Sequence, residues 1–236
     1  MNRESALTRR QNEEAGKNIL KEEIDSPLSA AKMRAISRII SSAPKKESLC
    51  DVGCFDGKFF SSYRSSGIAS IDGFDVIPEA LEIAKSRVEG ARTFVWNVEE
   101  DPAPVPSECY DIVVCADVIE HIFNTRNLVS ECHRIMKQNG RFILLTPNLV
   151  SLWNRYLLLR GEMPLGHPGV SIDYRTSHQV NPSHVRIGTA KEWTGLLKSE
   201  GFRFMGIDGI WSSVTSMIIS LGRPTLSHTL VIECTK

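Results

Sequence analysis

The chain has 236 residues, 42% of them apolar, which fits one large α/β domain, or one domain with an insertion, and excludes wholesale disorder. Lysine plus arginine equals aspartate plus glutamate, 28 each, so no basic excess exists to hold a phosphate backbone and nucleic acid is not expected as a partner. No apolar run approaches the roughly 18 residues of a bilayer span, the opening MNRESALTRRQNEEAGK lacks a secretory apolar core, and the six cysteines form no CxxC pair, so a cytoplasmic protein with reduced thiols is expected.

Residues 1–26 are polar and highly charged, and read as a mobile arm or a helical flap. From Pro27 to Ala43, Met33, Ile36 and Ile40 form a helical stripe that Pro44 ends, so residues 1–44 read as an N-terminal helical arm or lid before a domain over 45–236. Strands and helices then alternate. Ser48–Val52 is a strand, Asp56–Ser66 a helix stopped by Gly67, Ser70–Asp75 a strand, and Pro78–Val88 a helix with proline in its first turn. Thr93–Trp96 is a third strand, and Tyr110–Ala116 an apolar run of the buried parallel kind. Asn127–Lys137 is a helix stopped by Asn139-Gly140, and Arg141–Thr146 a buried strand closed by Pro147. An irregular stretch over 150–188 opens with an amphipathic helix, LVSLWNRYLLL, and reads as a substrate-side insertion. Thr189–Glu200 is a helix with a Thr189/Glu192 capping box, and Phe202–Ile207 and His228–Cys234 are the last two strands. The rhythm argues for an α/β, doubly wound, mostly parallel seven-stranded sheet with an antiparallel edge strand, whose ligand sits at the carboxyl ends of the strands.

The first strand leads into LCDVGCFDGKF, with Gly53 and Gly57 between strand and helix. Glycine admits close approach of a ligand, and the helix start offers free N–H groups. The spacing is neither the G-x-G-x-x-G of a dinucleotide site nor a P-loop, which disfavours NAD. Eighteen residues after Gly57, the second strand ends at Asp75, where a carboxylate can accept both hydroxyls of a ribose. Alone, each signal is compatible with an ordinary turn and a solvated acid; together, in this strand order, they favour a nucleoside cofactor.

LCDVGCFDGKF, GFDVIPEALEIAK, YDIVVCADVIEHI and LVSECHRIMKQNGRFILLTPN lie in this order over about 100 residues. With them the chain resembles the class I S-adenosylmethionine-dependent methyltransferases, in the branch that includes ubiquinone-biosynthesis O-methyltransferases and many natural-product and sugar methyltransferases. The tail HVRIGTAKEWTGLLKSEGF resembles the same branch more loosely. The resemblance implies S-adenosylmethionine as cofactor, leaving S-adenosylhomocysteine as product. It puts Asp51, Gly53 and Gly57, with Cys54 and Phe55 between the glycines, at the methionine part. It gives the ribose to Asp75, and the adenine to Val76 and Ile77 with Asn97, Val98 and Glu99 at its edge. Cys115, Ala116 and Asp117 fall beside the methyl group. Two residues depart from the pattern: Asn97 stands where many members have aspartate, and Phe55 occupies the middle position of G-x-G-x-G. Phenylalanine disfavours φ > 0, so the loop is expected either to use an allowed backbone there or to turn the ring away from the cofactor.

Methyl transfer from a sulfonium is an in-line displacement, and a hydroxyl acceptor gains from a base. His121 in DVIEHI is the candidate, since Asp117, Glu120 and His121 share one helical turn and a carboxylate can fix its tautomer. The alternative is that the pair only orders the loop under the cofactor and alignment alone drives transfer. Trp153, Tyr156, His167, Tyr174, Arg175, His178, His184 and Arg186, with Arg155 and Arg160, are candidates for the acceptor pocket. Such cationic and aromatic groups suit a small polar or anionic acceptor, unless the insertion's charges merely face water. The spacing of His167, His178 and His184 matches no compact ligand pattern, so no metal is expected. The LVSLWNRYLLL helix is open to service as a lid, a homodimer face or a membrane-surface contact. An inactive binding protein on the same fold, and a protein or RNA methyltransferase, remain as rivals.

Overall fold

A computed structural model describes residues 27–166, 184–211 and 222–236. Seven strands form one sheet in the order β3-β2-β1-β4-β5-β7-β6. They are β1 Ser48–Val52, β2 Ser70–Asp75, β3 Arg92–Val95, β4 Tyr110–Ala116, β5 Met136–Pro147, β6 Arg203–Ile210 and β7 Thr229–Thr235. The first five run parallel, and β7 pairs antiparallel with both β5 and β6. The expected doubly wound, mostly parallel sheet is therefore present, with β7 running against the other six strands beside the edge strand β6. Six α-helices accompany it among the described residues: α1 Pro27–Ser42, α2 Phe60–Ser65, α3 Pro78–Arg87, α4 Thr125–Ile135, α5 Leu152–Leu159 and α6 Ala190–Ser199. Strand order reverses at β1, which has β2 on one side and β4 on the other, so a crevice opens beyond the carboxyl ends of these strands.

The central strands are apolar on both faces because helices cover both. Ile112, Val114, Ile143 and Leu145 join Ile36, Ile40, Phe60 and Leu81 in one core. Their strand neighbours Val113, Cys115, Phe142 and Leu144 join Leu128, Cys132, Trp193 and Leu197 in the other. This split follows from the two-residue period of a strand. The helix over 27–42 thus belongs to the packing: Ile36 and Ile40 are fully buried.

Local chemistry explains where the boundaries fall. The Thr189/Glu192 capping box starts α6 as its sequence indicates. The helix after β1 begins at Phe60, four residues later than the Asp56 start expected. Phe55 and Gly57 are left-handed, at φ 50 and 70, and Asp56 caps the Lys58 N–H, so no helical turn can form until the loop has closed. Asn139-Gly140 is not a helix stop either. The helix ends at Ile135, β5 starts at Met136, and the pair lies inside that strand, where the register with β4 shifts between Tyr110 and Ile112. All six cysteines are free. Among the described residues, no helix is long and apolar enough to cross a membrane.

One buried charge ties β2 to β3 beside it and to β4 on the far side of β1. Asp72 is fully buried; it accepts Arg92 Nε at 2.8 Å and Nη2 at 2.6 Å, and the Tyr110 hydroxyl at 2.7 Å. Removing the guanidinium strands a carboxylate in the core. Arg92→Ala is expected to cost about 2–3 kcal/mol, lowering the thermal midpoint by about 5–10 °C in a calorimetric scan.

Candidate active site

The loop after β1 is drawn over the end of β2 by a shared acceptor. Gly53 and Cys54 both donate their N–H to the Phe74 carbonyl, at 2.7 and 3.0 Å. The Phe55 N–H then reaches Asp75 Oδ2 at 2.9 Å, and the Ile77 N–H reaches Oδ1 at 3.1 Å. The loop and the acid at the tip of β2 are thus one hydrogen-bonded unit. Phe55 takes the left-handed conformation that a glycine would take, so of the two expected solutions the allowed backbone is the one not used. A Cβ on Gly53 would stand 2.1 Å from Val118 Cγ2, and one on Gly57 would stand 2.8 Å from Ala84 Cβ. Gly57 is therefore required by packing against α3, and Gly53 by the loop that follows β4.

Three polar groups surround this unit. Asp51 is buried and accepts the Tyr63 hydroxyl at 3.0 Å; burial lifts its pKa to about 7 against that hydrogen bond. Burial also raises the Asp75 carboxyl, while the backbone N–H groups of Phe55, Ile77 and Val76 counter it. Past β3, Asn97 Oδ1 accepts the Glu99 N–H at 3.1 Å, and its Nδ2 is buried with no hydrogen-bond partner among the described residues. Val98 is buried, and the Glu99 carboxylate is committed to the Phe123 and Asn124 N–H groups, which ties this edge to the loop before α4.

β4 ends through Cys115, which is fully buried, and Ala116, and Asp117 follows it with φ 57. Asp117 pairs with Lys32 of α1 at 2.6 Å. Ile119–His121 is a single 3-10 turn, so Glu120 and His121 lie side by side while Asp117 stays outside it. Glu120 is fully buried, and burial and then Asp117 hold its carboxyl well above the usual range. Its Oε2 accepts the Thr146 hydroxyl at 3.2 Å. Its backbone carbonyl accepts the Val185 and Arg186 N–H groups at 2.8 and 3.2 Å, fixing His184 beside the turn. The His121 and His184 rings meet edge to face with centroids 4.7 Å apart. Burial, then the neighbouring His121, pushes the His184 pKa down to about 4, so it is neutral at pH 7.

Among the expected acceptor residues, His184 and Arg186 join the Glu120–His121 turn; Arg186 donates to the Phe123 carbonyl at 2.7 Å. Trp153 and Tyr156 are half-exposed and pack with tilted rings, centroids 5.2 Å apart, and Tyr156 carries Arg160 over its ring. His167, Tyr174, Arg175 and His178 lie outside the described residues. Two participants were not anticipated. Lys32 looked like any polar residue of an amphipathic helix, and Thr146 like the last residue of a buried strand. The carboxylate and the two imidazoles of Glu120, His121 and His184 bring donor atoms within 4.8 Å of one another. A test of histidine spacing alone misses that set, because its third member is 64 residues beyond Glu120.

Residues 50–144 match a family model described as a methyltransferase domain. A ubiquinone biosynthesis O-methyltransferase of Photobacterium profundum is 32% identical over 103 residues, 42% of this chain and 43% of that protein. A probable S-adenosylmethionine-dependent methyltransferase of Mycolicibacterium smegmatis is 31% identical over 165 residues, 68% of this chain and 54% of that one. The chain thus spans about half the length of these relatives, or less. The crystal structure of a SAM-dependent methyltransferase from Archaeoglobus fulgidus superposes with a TM-score of 0.64 at 17% identity, over 93% of this chain and 99% of that one.

Two outcomes follow from the loop's geometry. Phe55→Gly removes about 1 kcal/mol of left-handed strain, enough to offset lost ring contacts and keep the thermal midpoint within about 3 °C, whereas Gly53→Ala loses about 3 kcal/mol to the Val118 overlap. Asp51 keeps its proton in the folded state from about pH 4 to about pH 7 while the unfolded chain gives it up, so stability falls as pH rises through that window. The shift corresponds to about 4 kcal/mol at most. Asp51→Asn should flatten that decline when urea unfolding is followed at pH 5 and pH 8.

Proposed function

The chain carries the methyltransferase domain of the class I S-adenosylmethionine-dependent enzymes, and on that premise we propose that it transfers a methyl group from S-adenosylmethionine to oxygen on a small polar or anionic metabolite. One observation carries the cofactor half of this reading: Asp75 and the glycine loop are joined through the Phe55 N–H at the switch point of the sheet. The residues present fit the group. The loop backbone is already shaped at Gly53 and Gly57, and the buried Nδ2 of Asn97 is a donor in want of an acceptor, such as a ring nitrogen of adenine. An amide at this position donates where the aspartate of many relatives would only accept. The apolar Val76, Ile77 and Val98 would flank the base, Asp75 would take the ribose hydroxyls, and Asp51, Cys54 and the loop backbone would lie under the methionine part.

When bound, S-adenosylmethionine supplies a sulfonium-borne methyl and a neutral thioether leaving group. The protein's own part is alignment and exclusion of water. Asp117, held by Lys32, and the Glu120–His121 turn would face the acceptor, with His184 and Arg186 closing the same side. Lys32 brings α1 to the edge of the site, which supports a role for that helix in covering it. The hydroxyl of the acceptor would give up its proton toward this imidazole-rich turn as its oxygen attacks the methyl carbon. The six free cysteines accord with a cytoplasmic setting.

Calorimetric titration with S-adenosylhomocysteine tests the reading. Wild type should bind with micromolar Kd, and Asp75→Ala should weaken binding about 10- to 100-fold by removing charge-assisted hydrogen bonds. Absence of binding by folded wild type would remove the basis for methyl transfer.

A further inference from the structure

We propose that Glu120, His121 and His184 form a binding site for one divalent transition-metal ion on the acceptor side of the crevice. The three donor atoms lie within 4.8 Å of one another, and each comes from a segment that the fold has already fixed. Glu120 and His121 sit on one 3-10 turn. The backbone carbonyl of Glu120 takes the N–H groups of Val185 and Arg186 and so locks His184 against it. Donors around a shared tetrahedral ion stand roughly 3.4 Å apart, given bonds of about 2.1 Å. Side-chain rotation of little more than an ångström closes the widest pair.

A second observation points to a ligand. Glu120 is fully buried and its Oε1 has no hydrogen-bond partner among the described residues. A buried carboxylate oxygen without a donor is costly, and a cation is the partner that this neighbourhood of two imidazoles can share with it. The supporting bonds are those that metal ligands use. Oε2 of the same carboxylate accepts the Thr146 hydroxyl, which orients the group. His184 Nδ1 lies 2.8 Å from the Gly166 carbonyl, which can only accept. Nδ1 therefore carries the proton and Nε2 keeps its lone pair.

One carboxylate and two imidazoles suit manganese, iron(II), cobalt(II) or zinc better than calcium, which takes all-oxygen shells. Three protein ligands also leave positions open, as catalytic rather than structural sites do. The use of the ion, though not the site itself, rests on the methyl-transfer reading. An acceptor hydroxyl in an open position would have its pKa lowered; with both imidazoles ligating the ion, its proton would leave to solvent instead of to the turn, and its oxygen would form the new bond to the methyl carbon as the carbon–sulfur pair returns to sulfur. The acceptor class narrows accordingly to hydroxyl compounds able to ligate a cation, such as vicinal diols or catechols.

The test is titration of the full chain with manganese(II), followed by electron paramagnetic resonance, because manganese ignores the thiols to which zinc would also bind. One ion per chain with micromolar Kd is expected. His184→Ala and Glu120→Gln should each weaken it at least tenfold while circular dichroism and S-adenosylhomocysteine binding persist. Should Glu120→Gln fail to fold, wild type and His184→Ala decide alone. Wild type that binds no ion, or variants that bind as well as wild type, would overturn the site. Metal binding without S-adenosylhomocysteine binding would keep the site and sink the methyl-transfer reading instead.

Discussion

The carbonyl of Phe74 accepts two N–H groups at once, from Gly53 and Cys54, and the rest of the crevice is arranged around that contact. It bends the chain sharply off β1 and across the end of β2. The bend brings Phe55 into the left-handed region and its N–H onto Asp75. It also lays Gly53 so close to Val118 that only a hydrogen fits between them. A single fork in the backbone hydrogen bonding thus couples the loop, the acid at the tip of β2 and the segment beyond β4. The strain at Phe55 persists because these bonds over-determine its position.

The side of the crevice beyond β4 rests on a similar device. Glu120 presents its carbonyl to Val185 and Arg186, so a turn after β4 and a segment before α6 become neighbours without sharing a strand. Lys32, from the first described helix, meets Asp117 at the same place. Three distant parts of the chain converge where β4 and β5 end. The arrangement there is made by backbone hydrogen bonds and one ion pair.

Both halves hold acids under conditions that disfavour their charge. Asp51, Asp75 and Glu120 all have raised pKa values, with burial the largest cause in each case. Two other acids are instead well partnered, Asp72 and Asp111. Asp72 is satisfied by Arg92 and Tyr110, and Lys137 and Ser48 pull the Asp111 carboxyl below its usual range despite burial. Acids that stabilise the fold are fully paired. Acids that line the crevice keep oxygen or charge in reserve, and the folded state is less stable for it.

Most of the sheet was legible in the sequence, because a strand buried on both faces writes itself as a continuous apolar run and a capping box needs only four residues to declare itself. Ser48–Val52, Ser70–Asp75 and Tyr110–Ala116 carry their own boundaries. The loop motif and Asp75 were legible too, since their spacing is set by one strand and one helix. What only the tertiary structure decided depends on contacts between residues far apart in the chain. The late start of α2 follows from loop strain, and the placing of Asn139-Gly140 inside β5 from a register shift against β4. The pairing of Lys32 with Asp117 spans 85 residues, and the gathering of His184 onto Glu120 and His121 is made by two backbone bonds that leave no trace in composition or periodicity. Local pattern fixes elements; which side chains meet is fixed by the register and crossings of those elements, and no window of sequence contains that information.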